Sequence, residues 1–134
     1  MANASSSSHS PFLMFEGDAA AALERYLALF NPSELLSLSR HGPESGAEGK
    51  VEHALFSLKG QMLRCMDSSI RHGFAFTPSL SLFVTCDDEA EIERLHAGLS
   101  AGGEPLMPLQ SYPFARKFAW VNDRYGVSQQ LSLA

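Results

Sequence analysis

Cysteine and long apolar runs are both scarce in this chain. Its two cysteines, Cys65 and Cys86, form no CxxC pair and no spacing typical of a zinc site. We therefore expect two reduced, buried thiols in a cytoplasmic protein. No apolar run approaches the roughly 18 residues that a membrane-spanning helix needs. The N-terminus lacks a charged segment followed by an apolar one, so we expect neither a secretory signal nor a membrane partner.

Basic residues are outnumbered by acidic ones. The 10 Lys and Arg residues face 15 Asp and Glu residues, for a formal net charge of −5. Because phosphate binding needs clustered Lys and Arg, we expect no nucleic-acid partner. The sequence also lacks the GxSxG, GxxxxGK[ST] and GxGxxG patterns. It therefore gives no sign of a serine hydrolase, a P-loop nucleotide enzyme or a dinucleotide-binding protein.

The first half of the chain reads as strand, helix and three strands. Residues 1–10 predict a flexible tail. A short apolar strand at 11–15 comes next, and Asp18 is the expected N-cap of a helix whose apolar face includes Leu23 and Tyr26. Three more strands are predicted over 34–41, 50–58 and 61–66, the last two joined by a tight turn at Lys59-Gly60.

The second half repeats the order. A strand is predicted over 78–85, with Leu80, Leu82 and Val84 on the side that faces a helix. Asp88 and Glu91 form a capping box for that helix. Three strands then follow over 104–107, 115–121 and 127–133, with a loop over 110–113.

Self-similarity accompanies this repeated order. A shift of 69 residues places the string LERY (23–26) on IERL (92–95), and a shift of 66 places Gly60 on Gly126. Repetition at this scale indicates a duplicated unit. We predict a single α+β domain over 11–133, made of two βαβββ modules at 11–66 and 77–133, with a linker at 67–76.

Several strings, in their order and spacing, carry a resemblance to a known family: PFLMF (11–15), VEHA (51–54) with Phe56 and Leu58, FTPSLSLFV (76–84), and KFAWVND (117–123) with GVS (126–128). Together they resemble the PhnB-like branch of the vicinal-oxygen-chelate superfamily, which includes glyoxalase and bleomycin-resistance proteins. The resemblance covers about residues 11–133.

The resemblance implies a fold and a kind of site. In this superfamily each module curls into half a barrel with its helix outside, and two halves enclose a pocket. The members are usually dimers, often with modules exchanged between chains. Many hold a divalent metal that chelates two substrate oxygens, whereas others only bind a compound. Several PhnB-like proteins carry the name demethylubiquinone methyltransferase, but this sequence lacks the glycine-rich turn of a doubly wound S-adenosylmethionine fold.

The positions that hold the metal in this superfamily correspond to Ser10, Arg64, Ser79 and Gln130. Arginine has no lone pair to donate, serine hydroxyls are weak ligands, and one carboxamide would not hold a metal alone. We therefore predict no metal and no cofactor. A ligand role for His9, next to Ser10, stays open. The remaining histidines (His41, His53, His72 and His96) are expected to be surface or hydrogen-bonded residues.

Strand alternation also predicts which side chains line the pocket. They form an apolar, aromatic surface with a few hydroxyls, one amide and one cation, as is usual for small-molecule sites. Arg64 would need either a ligand anion or a protein carboxylate such as Glu52. A tightly packed core in place of a cavity stays open. The predicted pocket residues are Phe12, Met14, Arg64, Ser79, Ser81, Phe83, Trp120 and Gln130.

Trp120 has two possible roles. It could stack on a ligand, or belong to the core or to a dimer interface. The favoured function is that of a metal-free PhnB-like protein that binds a small organic molecule in the barrel pocket of a homodimer. The alternatives are an enzyme of the superfamily (a lyase, a dioxygenase or the methyltransferase of the family name) and a pure interaction module.

Overall fold

Two βαβββ modules follow one another in the structure, a computed structural model that describes residues 8–134. Most of the tail predicted over 1–10 lies outside the described residues. The first module consists of β1 (Phe12–Phe15), α1 (Ala19–Leu29), β2 (Ser33–Arg40), β3 (Val51–Leu58) and β4 (Gln61–Asp67). The second consists of β5 (Leu82–Cys86), α2 (Glu89–Ser100), β6 (Glu104–Tyr112), β7 (Ala115–Asn122) and β8 (Ser128–Leu133).

Each module forms its own four-stranded mixed sheet. The strand order is β1-β4-β3-β2 in the first and β5-β8-β7-β6 in the second. The opening strand pairs in parallel with the last one, and all other neighbours are antiparallel. The predicted α+β class and the duplicated βαβββ order are therefore confirmed. The boundary between the two compact units falls between His72 and Gly73, inside the segment predicted as a linker.

One side of each sheet is covered by the helix of its own module. In the first module α1 buries Ala22, Leu23 and Tyr26, and the sheet side beneath it carries Leu13, Phe15, Ala54, Phe56, Leu63 and Cys65. In the second, Ile92, Leu95 and Leu99 of α2 are buried over a sheet side that includes Leu131 and Leu133. Burying each large apolar side chain contributes about 1.5–3 kcal/mol to the free energy of folding. Each helix–sheet layer therefore stabilises its own module. No helix within residues 8–134 is long and apolar enough to cross a membrane.

The first strand of the second module is shorter than predicted. Pro78 and Ser79 form a turn, closed by a hydrogen bond from Leu80 N to Thr77 O at 3.2 Å, and β5 begins only at Leu82. Leu80 is 78% exposed, so the prediction that it packs beneath a helix is wrong. The reason is local, because the turn takes up backbone that strand pairing would need, and Pro78 has no N–H to donate.

Strand β6 is longer than predicted, since it includes residues of the expected loop at 110–113. Its pairing with β7 shows three register shifts, between Pro105 and Met107, Met107 and Gln110, and Gln110 and Tyr112. β6 is an edge strand, where bulges and proline are tolerated. The prolines thus interrupt the pairing without ending the strand.

The N-terminus of α1 is capped from a distant part of the chain. Asp18 occupies the N-cap position but makes no capping side-chain bond, so that predicted role is wrong. The carboxylate of Asp67, at the end of β4, replaces it. Its Oδ1 accepts from Gly17 N at 2.8 Å and Ala19 N at 3.0 Å, and its Oδ2 accepts from Val51 N at 3.0 Å. Asp67 is therefore a buried strand residue, although it was predicted to open the linker.

Helix α2 is capped locally, as predicted. Asp88 Oδ1 accepts from Glu91 N at 2.8 Å. In return the Glu91 side chain accepts from Asp87 N at 2.7 Å, one residue before the position a standard capping box would use. The two helices thus begin by different means.

We predict that Asp67→Asn destabilises the protein by about 2–3 kcal/mol, because a neutral amide weakens charge-assisted bonds and opposes at least one buried N–H with its own NH₂ group. Asp18→Asn is the matched control and should change stability by less than about 0.5 kcal/mol. Urea unfolding of the two variants measures the difference. Equal losses would contradict the assignment of Asp67 as the cap.

Candidate functional site

Each sheet also has a helix-free face, which is the side opposite its own helix. In the first module Arg64 lies on this face of β4, between Phe12 of β1 and Leu55 of β3. The next cross-strand pair is Met14 with Met66. Phe12 is 52% exposed, whereas Met14, Arg64 and Met66 are partly buried. The central part of this face is therefore apolar around one cation.

Arg64 is held by a histidine. Its Nη1 lies 3.2 Å from Nε2 of His53, and because guanidinium can only donate, Nε2 must accept. The imidazole is therefore neutral in this arrangement, with its proton on Nδ1. The His53 ring stacks on Phe12, with centroids 6.4 Å apart and planes at 25°. Glu52, the carboxylate considered as a partner, is exposed and forms no ion pair with Arg64 in the described structure.

His53 was not predicted as a site residue, although the sequence contained the signal. The two-residue turn at Lys59-Gly60 fixes the hairpin register, with Leu58 opposite Gln61 and Leu55 opposite Arg64. Counting back two residues from Leu55 places His53 on the same face as Arg64. The same count places the side chain of Glu52 on the opposite side of the strand from Arg64.

Four predicted residues meet on the helix-free face of the second sheet. Gln130 of β8 lies between Phe83 of β5 and Trp120 of β7. Its Nε2 donates to Ser81 Oγ at 2.7 Å. Phe83 is 61% exposed. An amide, a hydroxyl and two aromatic rings are thus presented together.

Ser79 is not part of this group. It lies in the turn before β5, where its hydroxyl is 3.1 Å from Thr77 Oγ1. The strand that was predicted to carry it begins three residues later, at Leu82. Gln130 is therefore bonded to Ser81 and not to Ser79, which is the residue at the superfamily's metal position.

Trp120 is partly buried and its indole N–H donates to Ser128 Oγ at 2.8 Å. Next to the β6–β7 turn lies an aromatic cluster that the sequence did not predict, formed by Tyr112, Phe114 and Phe118. Phe114 is stacked on Tyr112 at 5.4 Å and meets Phe118 edge to face at 4.9 Å. Phe118 is buried on the same face of β7 as Trp120, whereas Phe114 in the β6–β7 turn is 64% exposed.

A divalent metal does not fit the residues at the family's metal positions. Arg64 has no lone pair and is bonded to His53, while Gln130 is bonded to Ser81. Across residues 8–134 no three His, Cys, Asp or Glu side chains come close enough to hold an ion, and this includes His9.

The two cysteines are not suited to nucleophilic chemistry. Both are buried, and neither forms a disulfide. Cys65 lies on the helix side of β4, where burial raises the pKa of its thiol to about 12, and the charge of Asp67 acts in the same direction. A thiol with this pKa carries almost no thiolate near neutral pH.

A separate depression of about 310 Å³ lies at the edge of the first module. It was not anticipated from the sequence, and none of the predicted site residues lines it. Its walls are mainly polar and come from the end of β1, the β2–β3 loop and the segment after β4. The lining residues are Glu16, Gly17, Gly46, Ala47, Lys50, Ser68, Ser69, Ile70 and Arg71.

Comparison with known proteins identifies the family. The family model described as 3-demethylubiquinone-9 3-methyltransferase matches residues 7–132. The chain belongs to this PhnB-like family. The PhnB protein from Bacillus cereus is 50% identical, with 96% of this chain and 100% of that one covered and a TM-score of 0.92.

More distant structures share the fold. Protein PA1353 from Pseudomonas aeruginosa is 24% identical over 96% of this chain and 98% of its own, with a TM-score of 0.83. A glyoxylase/bleomycin resistance protein/dioxygenase domain from Frankia is 16% identical, covers 96% of this chain and 92% of its own, and has a TM-score of 0.68. No curated protein matches the chain. The PhnB-like chain thus has the glyoxalase-type fold that the sequence predicted.

We predict that N-ethylmaleimide labels neither cysteine of the folded protein near neutral pH, and labels both after unfolding in urea, because Cys65 and Cys86 are buried and the Cys65 thiol stays protonated. Stability should also fall as pH rises above the thiol's ordinary pKa of 9.0, since the unfolded chain then loses a proton that the folded chain keeps. Mass spectrometry of the labelled protein checks the first result. Rapid labelling of Cys65 in the folded state would contradict it.

Proposed function

We propose that this PhnB-like protein binds a small organic molecule without a metal, using the helix-free faces of its sheets. The observation that carries the proposal is the exposure of Phe12 (52%) and Phe83 (61%) beside hydrogen-bonding groups. Patches of large apolar side chains are seldom left exposed to water, and those that are exposed usually mark a site that another molecule covers. An apolar face with a few directed polar groups has the composition of a small-molecule site.

Binding alone is favoured over catalysis by the chemistry of these groups. The methyltransferase in the family description would need a place for a methyl donor, and the sequence has no glycine-rich strand-to-helix turn for one. The fosfomycin resistance protein FosX from Listeria monocytogenes, which has the same fold at 14% identity, was crystallised with Mn(II). The side chains at Ser10, Arg64, Ser79 and Gln130 are not a ligand set for such an ion.

We further propose that a second copy of the chain covers part of the remaining apolar surface in a homodimer. The two buried cysteines form no disulfide, which suits a reducing, cytoplasmic setting. The exposed large apolar residues are numerous for a chain of this length. Outside the faces described above they include Leu35, Leu38, Ile70, Phe74, Leu80 and Leu106.

A compound screen tests the binding proposal. A true ligand at 100 times its Kd should stabilise the protein by about 2.7 kcal/mol, and raise its melting temperature. It should also change the emission of Trp120, the single tryptophan of the chain. We expect Phe83→Ser to weaken binding about tenfold, because the lost aromatic contact contributes roughly 1.5 kcal/mol or more.

Phe74→Ser is the matched control for this screen. Phe74 is exposed to a similar degree (67%) but lies between β4 and β5, outside the proposed faces. Its replacement should leave ligand affinity unchanged. The proposal fails if no class of compound shifts the melting temperature, or if both serine variants lose affinity equally.

Native mass spectrometry tests the metal-free dimer in one measurement. The expected species has twice the 14.6 kDa mass of the chain and no bound metal. A stoichiometric zinc, nickel, manganese or iron adduct would overturn the metal-free assignment. A monomer at micromolar concentration would overturn the dimer while leaving the binding proposal intact.

A further inference from the structure

We propose that the ligand of this protein is an organic oxyanion, and that Arg64 binds its charged end. The inference rests on the proposed function and narrows it to one chemical class. It follows from the surroundings of the guanidinium, from the way His53 holds it, and from the apolar side chains next to it.

The surroundings of Arg64 leave its charge uncompensated. The residue is partly buried between Phe12 and Leu55, and no carboxylate of the described residues pairs with it. A charge removed from water among apolar groups is costly unless an opposite charge approaches it. Arg64 therefore lacks a counter-ion in a place where one would be stabilising.

Three other buried or partly buried charged side chains have partners that offset their charge. Asp67 accepts three backbone N–H bonds, and Asp123 accepts from Tyr125 N, Val127 N and the side chain of Gln129. On the helix side of the second sheet, Lys117 pairs with Glu93 at 2.8 Å. Arg40 and Lys50 also donate to neutral backbone carbonyls, but both are exposed to water, whereas Arg64 is partly buried.

His53 orients the guanidinium without neutralising it. One N–H of Arg64 is used by His53 Nε2, which leaves four of the five donors of a guanidinium available. The Phe12 ring stacks beside the His53 ring, with centroids 6.4 Å apart. A planar donor edge fixed in this way suits the two oxygens of a carboxylate, phosphonate, phosphate or sulfonate.

The rest of the ligand should be apolar. Phe12, Met14 and Met66 are neighbours of Arg64 on the same face. An inorganic anion would contact the guanidinium but leave this apolar surface in water. An aromatic or aliphatic body that carries one oxyanion would occupy both.

A pair of fluorescent probes separates charge recognition from apolar binding. 1-Anilinonaphthalene-8-sulfonate carries a sulfonate, and N-phenyl-1-naphthylamine has the same aromatic skeleton without it. We expect the full-length protein to bind the sulfonate about tenfold more tightly than the neutral probe. Arg64→Gln should remove that preference, with the affinity for the neutral probe changed less than about threefold.

Two further variants make the result specific. Arg116→Gln removes an exposed arginine from β7 and should leave the preference intact. Arg64→Lys keeps the charge but loses the planar fork, so the preference should fall to an intermediate value and weaken further with added salt. Arg64→Lys also serves as the test variant if Arg64→Gln does not fold.

The outcomes distinguish the inference from the proposed function. Equal affinity for both probes in the unmodified protein, or a preference that survives Arg64→Gln, overturns the oxyanion assignment while leaving binding in place. A preference that Arg116→Gln also removes points to overall charge and likewise overturns it. If neither probe binds, the oxyanion assignment fails, whereas the proposed function fails only if the compound screen also finds no ligand.

Discussion

The buried carboxylate of Asp67 fixes the geometry of the first module. Its three backbone bonds join the start of α1, the start of β3 and the end of β4, which lie far apart in sequence. An ionised carboxylate makes hydrogen bonds about twice as strong as a neutral acceptor does. Arg64 lies three residues before Asp67 on the same strand, so the position of the cation depends on the bonds that hold the strand end. A core interaction thus holds in place the strand that carries Arg64.

Alternation along β4 divides its side chains between two roles. Leu63, Cys65 and Asp67 face the helix, whereas Arg64 and Met66 face away from it. Burial on the helix side keeps the Cys65 thiol protonated. One residue away, Arg64 keeps most of its donors available. The side of the sheet that a β4 side chain faces therefore determines whether it is buried under the helix or keeps hydrogen-bond donors available.

The sequence could predict the order of elements and the α2 cap, because both depend on local patterns such as alternation and the spacing of Asp88 and Glu91. It could not predict the α1 cap, because the bonds that Asp67 makes span 16 to 50 residues. It misplaced Leu80 because a local turn competed successfully with strand pairing. The position of His53 could have been predicted, since the hairpin register alone places it on the same face as Arg64.

The duplication has diverged at the positions that we propose for binding. Four residues after the turn glycine the first module has Arg64 and the second has Gln130, a cation and a neutral amide at corresponding sites. Their partners differ as well, because Arg64 donates to an imidazole and Gln130 to a serine hydroxyl. The capping residue shows the same divergence: Asp67 corresponds to the apolar Leu133, since α2 has its own local cap and needs no carboxylate there. The cation of the first module and the neutral amide of the second therefore give the two helix-free faces different polarity.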